Sequence, residues 1–302
     1  MAYDHHHHDH APKSFQRAFL IGICLNIGFV LIEAFYGWQV NSLALLADAG
    51  HNLSDVAGLI LAWVATLAGQ RLPDHRYTYG WQRASILAAL ANALMLLVAM
   101  GSLLWEALHR LQAPATTEGA TIVVVAAIGV LVNGATALLF MNGQKSDINI
   151  RGAYLHMAAD ALVSLGVVAA GALYIWTGWS WLDPITSVAI AVVIIVGTFG
   201  LFRQSLHLAF DGVPDSIDLA AVDVWLRTRP GVTDVHDLHV WAMSTTDIAL
   251  TAHLVMPAGH PGDVFFNEVA EQLHHQFEIT HPTLQIELSI QDHGCITPLA
   301  PI

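Results

Sequence analysis

Six apolar stretches, each at least as long as the roughly 20 residues that carry a helix across a bilayer, dominate this 302-residue chain. They run over about 15–39, 43–69, 85–109, 118–141, 152–177 and 184–207. The hydrocarbon offers no water to backbone N–H and C=O groups, so each stretch is expected to be a helix. Hydrophobic residues make up 55% of the sequence and charged residues 12%, a balance that excludes an ordinary soluble domain. After Phe210 the pattern changes to short alternating stretches, acidic residues, Pro and Gly, which reads as a soluble α+β domain. The predicted organisation is a His-rich segment over 1–14, a six-helix transmembrane domain over 15–207 and an α+β domain over 208–302.

Lys and Arg in the short loops set the orientation. With the N-terminus inside, Lys13, Arg17, Arg71, Arg76, Arg83, Lys145, Arg151 and Arg203 fall on the cytoplasmic side, as do Arg227 and Arg229 in the tail; Arg110 alone falls outside. Both termini are then cytoplasmic. No cleavable signal peptide is evident, since the first apolar run is too long and lacks a small-residue cleavage site. The formal charge of −13 argues against nucleic acid and for cationic partners. Two cysteines, Cys24 and Cys295, do not suggest a disulfide framework.

Ionisable side chains inside a span are costly and need a partner, a wet cavity or an ion. The second span nevertheless carries Asp48, His51 and Asp55 in "LLADAGHNLSDVAGLILAW", and the fifth carries His156 and Asp160 in "GAYLHMAADALVSLGVV". In both spans a His precedes an Asp by four residues, which puts the pair on one helical face. The two spans run antiparallel, and Asp55 and Asp160 fall near their middles, so the two pairs can meet at one depth. Two imidazoles and two carboxylates suit tetrahedral zinc, and cobalt or cadmium less distinctively. Without thiolate such a site can release its ion, and ligands that must lose protons to bind metal can exchange one for the other. The bland alternative, interhelical hydrogen bonding, is hard to hold for two identical pairs. It is the favoured reading for Glu33, Asn26, Asn92, Glu106 and Asn133. Asp48, nearer the outer end, is expected to line an exit or simply to be hydrated there.

The segments "SLALLADAGHNLSD", "HMAADALVS", "DPITS" and "VHDLHVWAM" together resemble the cation diffusion facilitator family, in particular its zinc-exporting branch, over about Phe15 to Ser289. The resemblance implies a homodimeric metal/proton antiporter in membrane lipid, with His51, Asp55, His156 and Asp160 as the transport site. His at position 51 is similar to members that favour zinc over manganese or iron. The tail is predicted as helix (215–228), strand (234–242), strand (247–256), helix (263–278) and strand (283–290), and it resembles the family's ferredoxin-like, metallochaperone-like cytoplasmic domain, which dimerises and binds regulatory zinc. By that resemblance His236 and His253 match tail ligands, Glu287 stands where members carry Glu or His, and His281 is an additional candidate.

Other candidates are weaker. His274, His275, His293 and Cys295 read as solvated polar residues before they read as a second cluster. Asp74 and His75, in "RLPDHRYTYGWQR", are not expected to form an ordered site, and "MNGQKSDINI" lacks the histidine-rich insertion of many relatives. The tract His5, His6, His7, His8 and His10 could collect zinc before delivery; an artificial tag is the other reading, against which the interrupting Asp9 weighs.

The function expected is export of zinc from the cytoplasm in exchange for protons by alternating access. His51 and His156 are expected to carry the protons, because imidazole titrates nearest neutrality. An intramembrane zinc hydrolase would need an open coordination position and a general base, and no HExxH occurs. A zinc-sensing membrane protein would not need two intramembrane pairs. Short loops and the lack of targeting signals suggest a bacterial inner membrane.

Overall fold

The computed structural model describes residues 13–113, 116–141 and 148–289. The His-rich tract at 5–10, most of the segment between the fourth and fifth spans, His293 and Cys295 lie outside the described residues. Six long helices come first: α1 (Lys13–Gln39), α2 (Leu43–Gly69), α3 (Ala84–Gln112), α4 (Gly119–Met141), α5 (Ile148–Thr177) and α6 (Leu182–Ala209). They follow the six expected stretches to within four residues at every end. Among the described residues four stretches meet a length-and-hydropathy standard for crossing a membrane, namely Ala84–Gln112, Gly119–Leu139, Tyr154–Thr177 and Leu182–Ala209. The chain divides into two compact units, one holding the residues through Leu59 with Asn92–Phe199, the other Ile60–Ala91 with the residues from Gly200 onward.

In the first unit α2–α6 share a core that includes Leu45, Ala47, Met100, Ala126, Val167 and Ile190. Small residues set the helix spacing, as lipid-embedded packing favours. A methyl group on Gly129 of α4 would lie 2.6 Å from Phe29 Cζ of α1 and 2.9 Å from Ser164 Oγ of α5; one on Gly171 of α5 would lie 2.9 Å from Val123 of α4. Three helices therefore approach closely around residues 129 and 164, one turn from Asp160.

The start of α2 is fixed from two directions. Asn41, in the left-handed region at φ 55°, turns the chain out of α1. Arg110 holds that turn, donating to Asn41 O at 2.6 Å and to Asn41 Oδ1 at 2.7 Å, while its Nε donates to Glu106 at 3.0 Å. Arg110 thus has a structural use in holding this turn. From α6, buried Asp183 accepts from Ser42 Oγ at 2.5 Å, Leu43 N at 3.0 Å and Ala44 N at 3.3 Å. It satisfies donors that a helix N-terminus leaves without intrahelical acceptors. Pro184 follows in the first turn of α6, where a missing N–H costs nothing.

The tail adds α7 (Leu219–Arg227), β1 (Asp234–Ala242), β2 (Ile248–Val255), α8 (Asp263–Phe277) and β3 (His281–Glu287). α7 starts four residues later than predicted because Asp218 caps it, accepting from Ala220 N and Ala221 N. The sheet order is β1-β2-β3, with β1 and β2 antiparallel and β2 and β3 parallel across the α8 crossover. Val222, Leu226, Leu250, Leu254, Val269 and Leu273 bury one face of the sheet under the two helices. A bulge interrupts β1 between His236 and His239, and Asp237 at its centre has φ 53°. In the same unit, Arg83 pairs with Asp211, Ser85 Oγ accepts from Thr245 N at 3.1 Å, and the Tyr79 ring meets the His281 ring edge-on at 5.6 Å.

Replacing Asp183 by Ala leaves Ser42 Oγ and two buried backbone donors without an acceptor. The variant is expected to lose about 1–3 kcal/mol of stability, read as a lower unfolding temperature in detergent, with Asp183→Asn recovering part of the loss.

Candidate metal centre

The four intramembrane residues come together. α2 presents His51 and Asp55, and α5 presents His156 and Asp160, each pair one turn apart. His51 Nε2 lies 3.8 Å from Asp55 Oδ2 and 3.5 Å from Asp160 Oδ1; His156 Nε2 lies 3.2 Å from Asp55 Oδ2 and 3.6 Å from Asp160 Oδ2. Each imidazole thus faces both carboxylates, one on its own helix and one on the other. The two rings are edge-on with centroids 6.0 Å apart. Donor atoms of Asp55, His156 and Asp160 all lie within 4.8 Å of one another. A tetrahedron with ligands about 2.0–2.1 Å from a zinc ion has edges of about 3.3–3.4 Å, and the four N···O separations straddle that length. Asp55 Oδ2, Asp160 Oδ2 and His51 Nδ1 are buried atoms without a hydrogen-bond partner. Such groups are costly in a low dielectric unless an ion or protons complete the set.

Asp48 lines no open exit in this structure. It is fully buried and accepts a hydrogen bond from Ser164 Oγ at 2.9 Å, so the expectation of a hydrated residue is corrected. A helical position gives depth, and here the close approach of α1, α4 and α5 buries that depth. Of the residues read as helix glue, Asn92 accepts from Ser54 at 3.4 Å and Glu106 pairs with Arg110, whereas Glu33 and Asn133 are buried with no partner for their side-chain polar atoms.

In the tail, strand register assembles a second group. His236 pairs with His253 across β1 and β2, and Glu287 pairs with Val255, two residues along on the same face. The imidazoles are 5.0 Å apart, with Glu287 Oε2 2.9 Å from His236 Nε2 and Glu287 Oε1 3.0 Å from His253 Nδ1. These three residues also offer ligand atoms within 4.8 Å of one another. His281 does not join them. It pairs with Ala249 at the far end of β3, six residues and about 20 Å from Glu287, and packs against Tyr79. Conversely, sequence reasoning passed over Asp237. The bulge turns its carboxylate between two histidines, with Oδ1 3.2 Å from His239 Nε2 and Oδ2 3.5 Å from His253 Nε2. The run "HDLH" was the available signal, but strict alternation would have sent Asp237 to the opposite face from His236.

Asp74 accepts from Arg76 N and Tyr77 N, both at 2.7 Å, and so serves its own turn. His274 and His275 stack on each other at 5.6 Å near the end of α8, and His275 lies 3.9 Å from exposed Glu271.

The profile for the cation efflux transmembrane domain matches residues 19–208, and that for the cation efflux protein cytoplasmic domain matches residues 214–289. The chain belongs to the cation efflux family. Metal cation efflux system protein CzcD of Cupriavidus metallidurans is 37% identical over 285 residues, covering 94% of this chain and 90% of that protein. Zinc transporter ZitB of Escherichia coli is 34% identical, and a cadmium, cobalt and zinc/H(+)-K(+) antiporter of Bacillus subtilis 33%, each over 95% of this chain and 93% of the relative. Among solved structures, the metal-bound C-terminal domain of the CzcD transporter is 40% identical over 24% of this chain and all of that one, with a TM-score of 0.23. This cation efflux protein is an integral membrane transporter and not an enzyme.

Burial works against the Glu287 carboxylate, but the hydrogen bond from His236, with smaller contributions from Gln285 and His253, outweighs it and holds the group below the ordinary carboxylate range. A carboxylate whose folded pKa is depressed stabilises the fold above its unfolded pKa, about 4.3 for Glu, and loses that contribution as pH falls through the folded value. Thermal unfolding of metal-free protein between about pH 5 and pH 3 is therefore expected to fall more steeply with acid in the wild type than in Glu287→Gln.

Proposed function

We propose that this cation efflux protein exports zinc from the cytoplasm in exchange for protons, and that His51, Asp55, His156 and Asp160 are the transport site. The observation that carries the reading is the alternating ring of four imidazole–carboxylate separations of 3.2–3.8 Å inside a membrane helix pair. Nitrogen and oxygen donors without thiolate suit an ion that must be bound and released, and imidazole selects zinc over harder ions. The relatives' names, among them a zinc transporter and a zinc/H(+)-K(+) antiporter, support the same cargo and a proton counter-flow.

The centre is graded in access. Side-chain exposure is 2% at Asp160, 19% at His51, 32% at Asp55 and 42% at His156. With the N-terminus cytoplasmic, Asp55 and His156 lie on the inner side of their helices, so this grading supports an inward-facing form. Zinc arriving from the cytoplasm meets Asp55 and His156, displaces protons from the imidazoles, and is enclosed by His51 and Asp160. Closure of the inner side and opening of the outer side then present the ion to the exterior, where incoming protons release it. A hydrolase reading is disfavoured, because four protein donors leave no position for a metal-bound water. The cluster of His236, His253 and Glu287 is proposed as a regulatory zinc site of a homodimeric tail, with a bacterial inner membrane as the setting.

Asp55→Ala and Asp160→Ala each remove a charged donor from a four-donor site. Zinc flux into proteoliposomes is expected to drop by on the order of 100-fold or more, with the protein still eluting as a folded dimer. Wild-type flux in either variant would reject the site.

His51→Asp leaves His156 as the single nitrogen donor. Competition flux is expected to show cadmium or manganese gaining on zinc. The pH dependence of transport is expected to move to more acidic values, because a carboxyl group protonates at lower pH than an imidazole. An active variant with unchanged selectivity and pH profile would mean that His51 neither binds the metal nor carries the proton.

A further inference from the structure

The metal centre leaves Glu33 unexplained. Its side chain, on α1, is fully buried, and neither carboxylate oxygen has a donor in good hydrogen-bond geometry. It lies against Asp48 and Asn52 of α2. Asp48 Oδ1 is likewise without a donor, and Asn52, 4% exposed, has an unpartnered Nδ2. Among the described residues the surroundings supply no Lys or Arg, and the one nearby group that can carry positive charge is His51. From α2 the facing groups are Asp48 and Asn52, with His51 one turn on; from α5 they are Ser164, bonded to Asp48, and Asp160 one turn further. α4, which packs on α1, contains no titratable residue over Gly119–Met141, and no Lys or Arg pairs with Glu33 or Asp48 among the described residues.

Two buried carboxylates in contact, without a cation, are strongly unfavourable when both are ionised. One proton changes the arrangement from repulsive to bonded, since a carboxylic acid donates to a neighbouring carboxylate. Because Glu33 is on α1 and Asp48 on α2, that bond would tie the two helices together. Asp48 lies one turn beyond His51 in the direction away from Asp55, which is the outer side in the orientation proposed above.

We propose that Glu33 and Asp48 form a second proton-binding site, apart from the metal ligands, and that the bound proton closes the outer side of the metal centre. The inference rests on the transport reading. External protons that load the empty site also load Glu33, and the α1–α2 bond favours the inward-facing form. When the outer side opens, water reaches the pair, the proton returns to the exterior, and repulsion between the carboxylates keeps the helices apart. This proton comes from and goes back to the same side, so it sets the rate of the return step without entering the zinc/proton ratio.

The test has two readouts on the full-length dimer. Infrared spectra of the metal-free wild type at neutral pH are expected to show a carboxylic acid C=O band that is lost in both Glu33→Gln and Asp48→Asn. Its absence from the wild type, or its persistence in both variants, would overturn the proposal. In proteoliposomes with fixed internal pH, Glu33→Gln is expected to keep wild-type zinc affinity but to turn over several-fold more slowly, with a flatter dependence on external pH; Glu33→Asp should restore much of that dependence. A Glu33→Gln profile matching the wild type would also overturn it. If instead Asp160→Ala binds and moves zinc normally, the transport reading itself fails, whatever Glu33 does.

Discussion

Placing two aspartates and two histidines between α2 and α5 is the constraint to which the rest of the membrane unit answers. A single carboxylate in a span would be destabilising by several kcal/mol. Four groups arranged so that each imidazole faces two carboxylates offset one another, and they do so only if the two helices hold their rotation and depth. A slide of one residue along α5 would turn His156 and Asp160 by about 100° and break the two cross-helix separations, His51–Asp160 at 3.5 Å and His156–Asp55 at 3.2 Å.

That precision is set at a distance from the site. α2 is positioned at its first turn by Asp183 of α6 and by the Asn41 turn that Arg110 holds. α5 is positioned by close packing on α4 and α1, where Gly129 leaves no room for a methyl group beside Ser164 and Phe29. The same packing buries Asp48 and Glu33, so the side of the centre toward Ser42 is sealed while the side toward Asp55 and His156 is exposed. One set of small-residue contacts therefore both aligns the donors and makes access asymmetric.

Much of this was legible in the sequence because the cost of polar groups in lipid makes them informative. The six spans follow from apolar run length, and the His51–Asp55 and His156–Asp160 pairs follow from a four-residue spacing that any helix puts on one face. What failed depended on contacts between elements. Asp48 was expected to be hydrated because its position in α2 gives depth, but its burial is decided by α5. His281 had suitable chemistry, but strand register placed it beside Ala249 and Tyr79, far from Glu287. Asp237 was missed because its direction comes from a bulge with a positive φ that no alternation pattern announces. Spacing within one element is readable; side-chain direction at an irregularity and register between elements are set by packing that a single sequence does not display.

On the proposed reading, charge balance explains why two imidazoles accompany two carboxylates. With both histidines protonated the four groups carry two positive and two negative charges; with a divalent ion bound to neutral imidazoles the sum is again zero. Either loaded form can pass through a water-poor intermediate without a net buried charge, whereas the empty, deprotonated site would carry two uncompensated negative charges, each costing several kcal/mol to bury. The site therefore resists crossing empty. A transporter that can change faces only with metal or with protons aboard is a coupled exchanger, and the coupling follows from the burial of Asp160 and the unpartnered oxygens of Asp55 and Asp160. Here the ring of imidazoles and carboxylates specifies the exchange as well as the ligand.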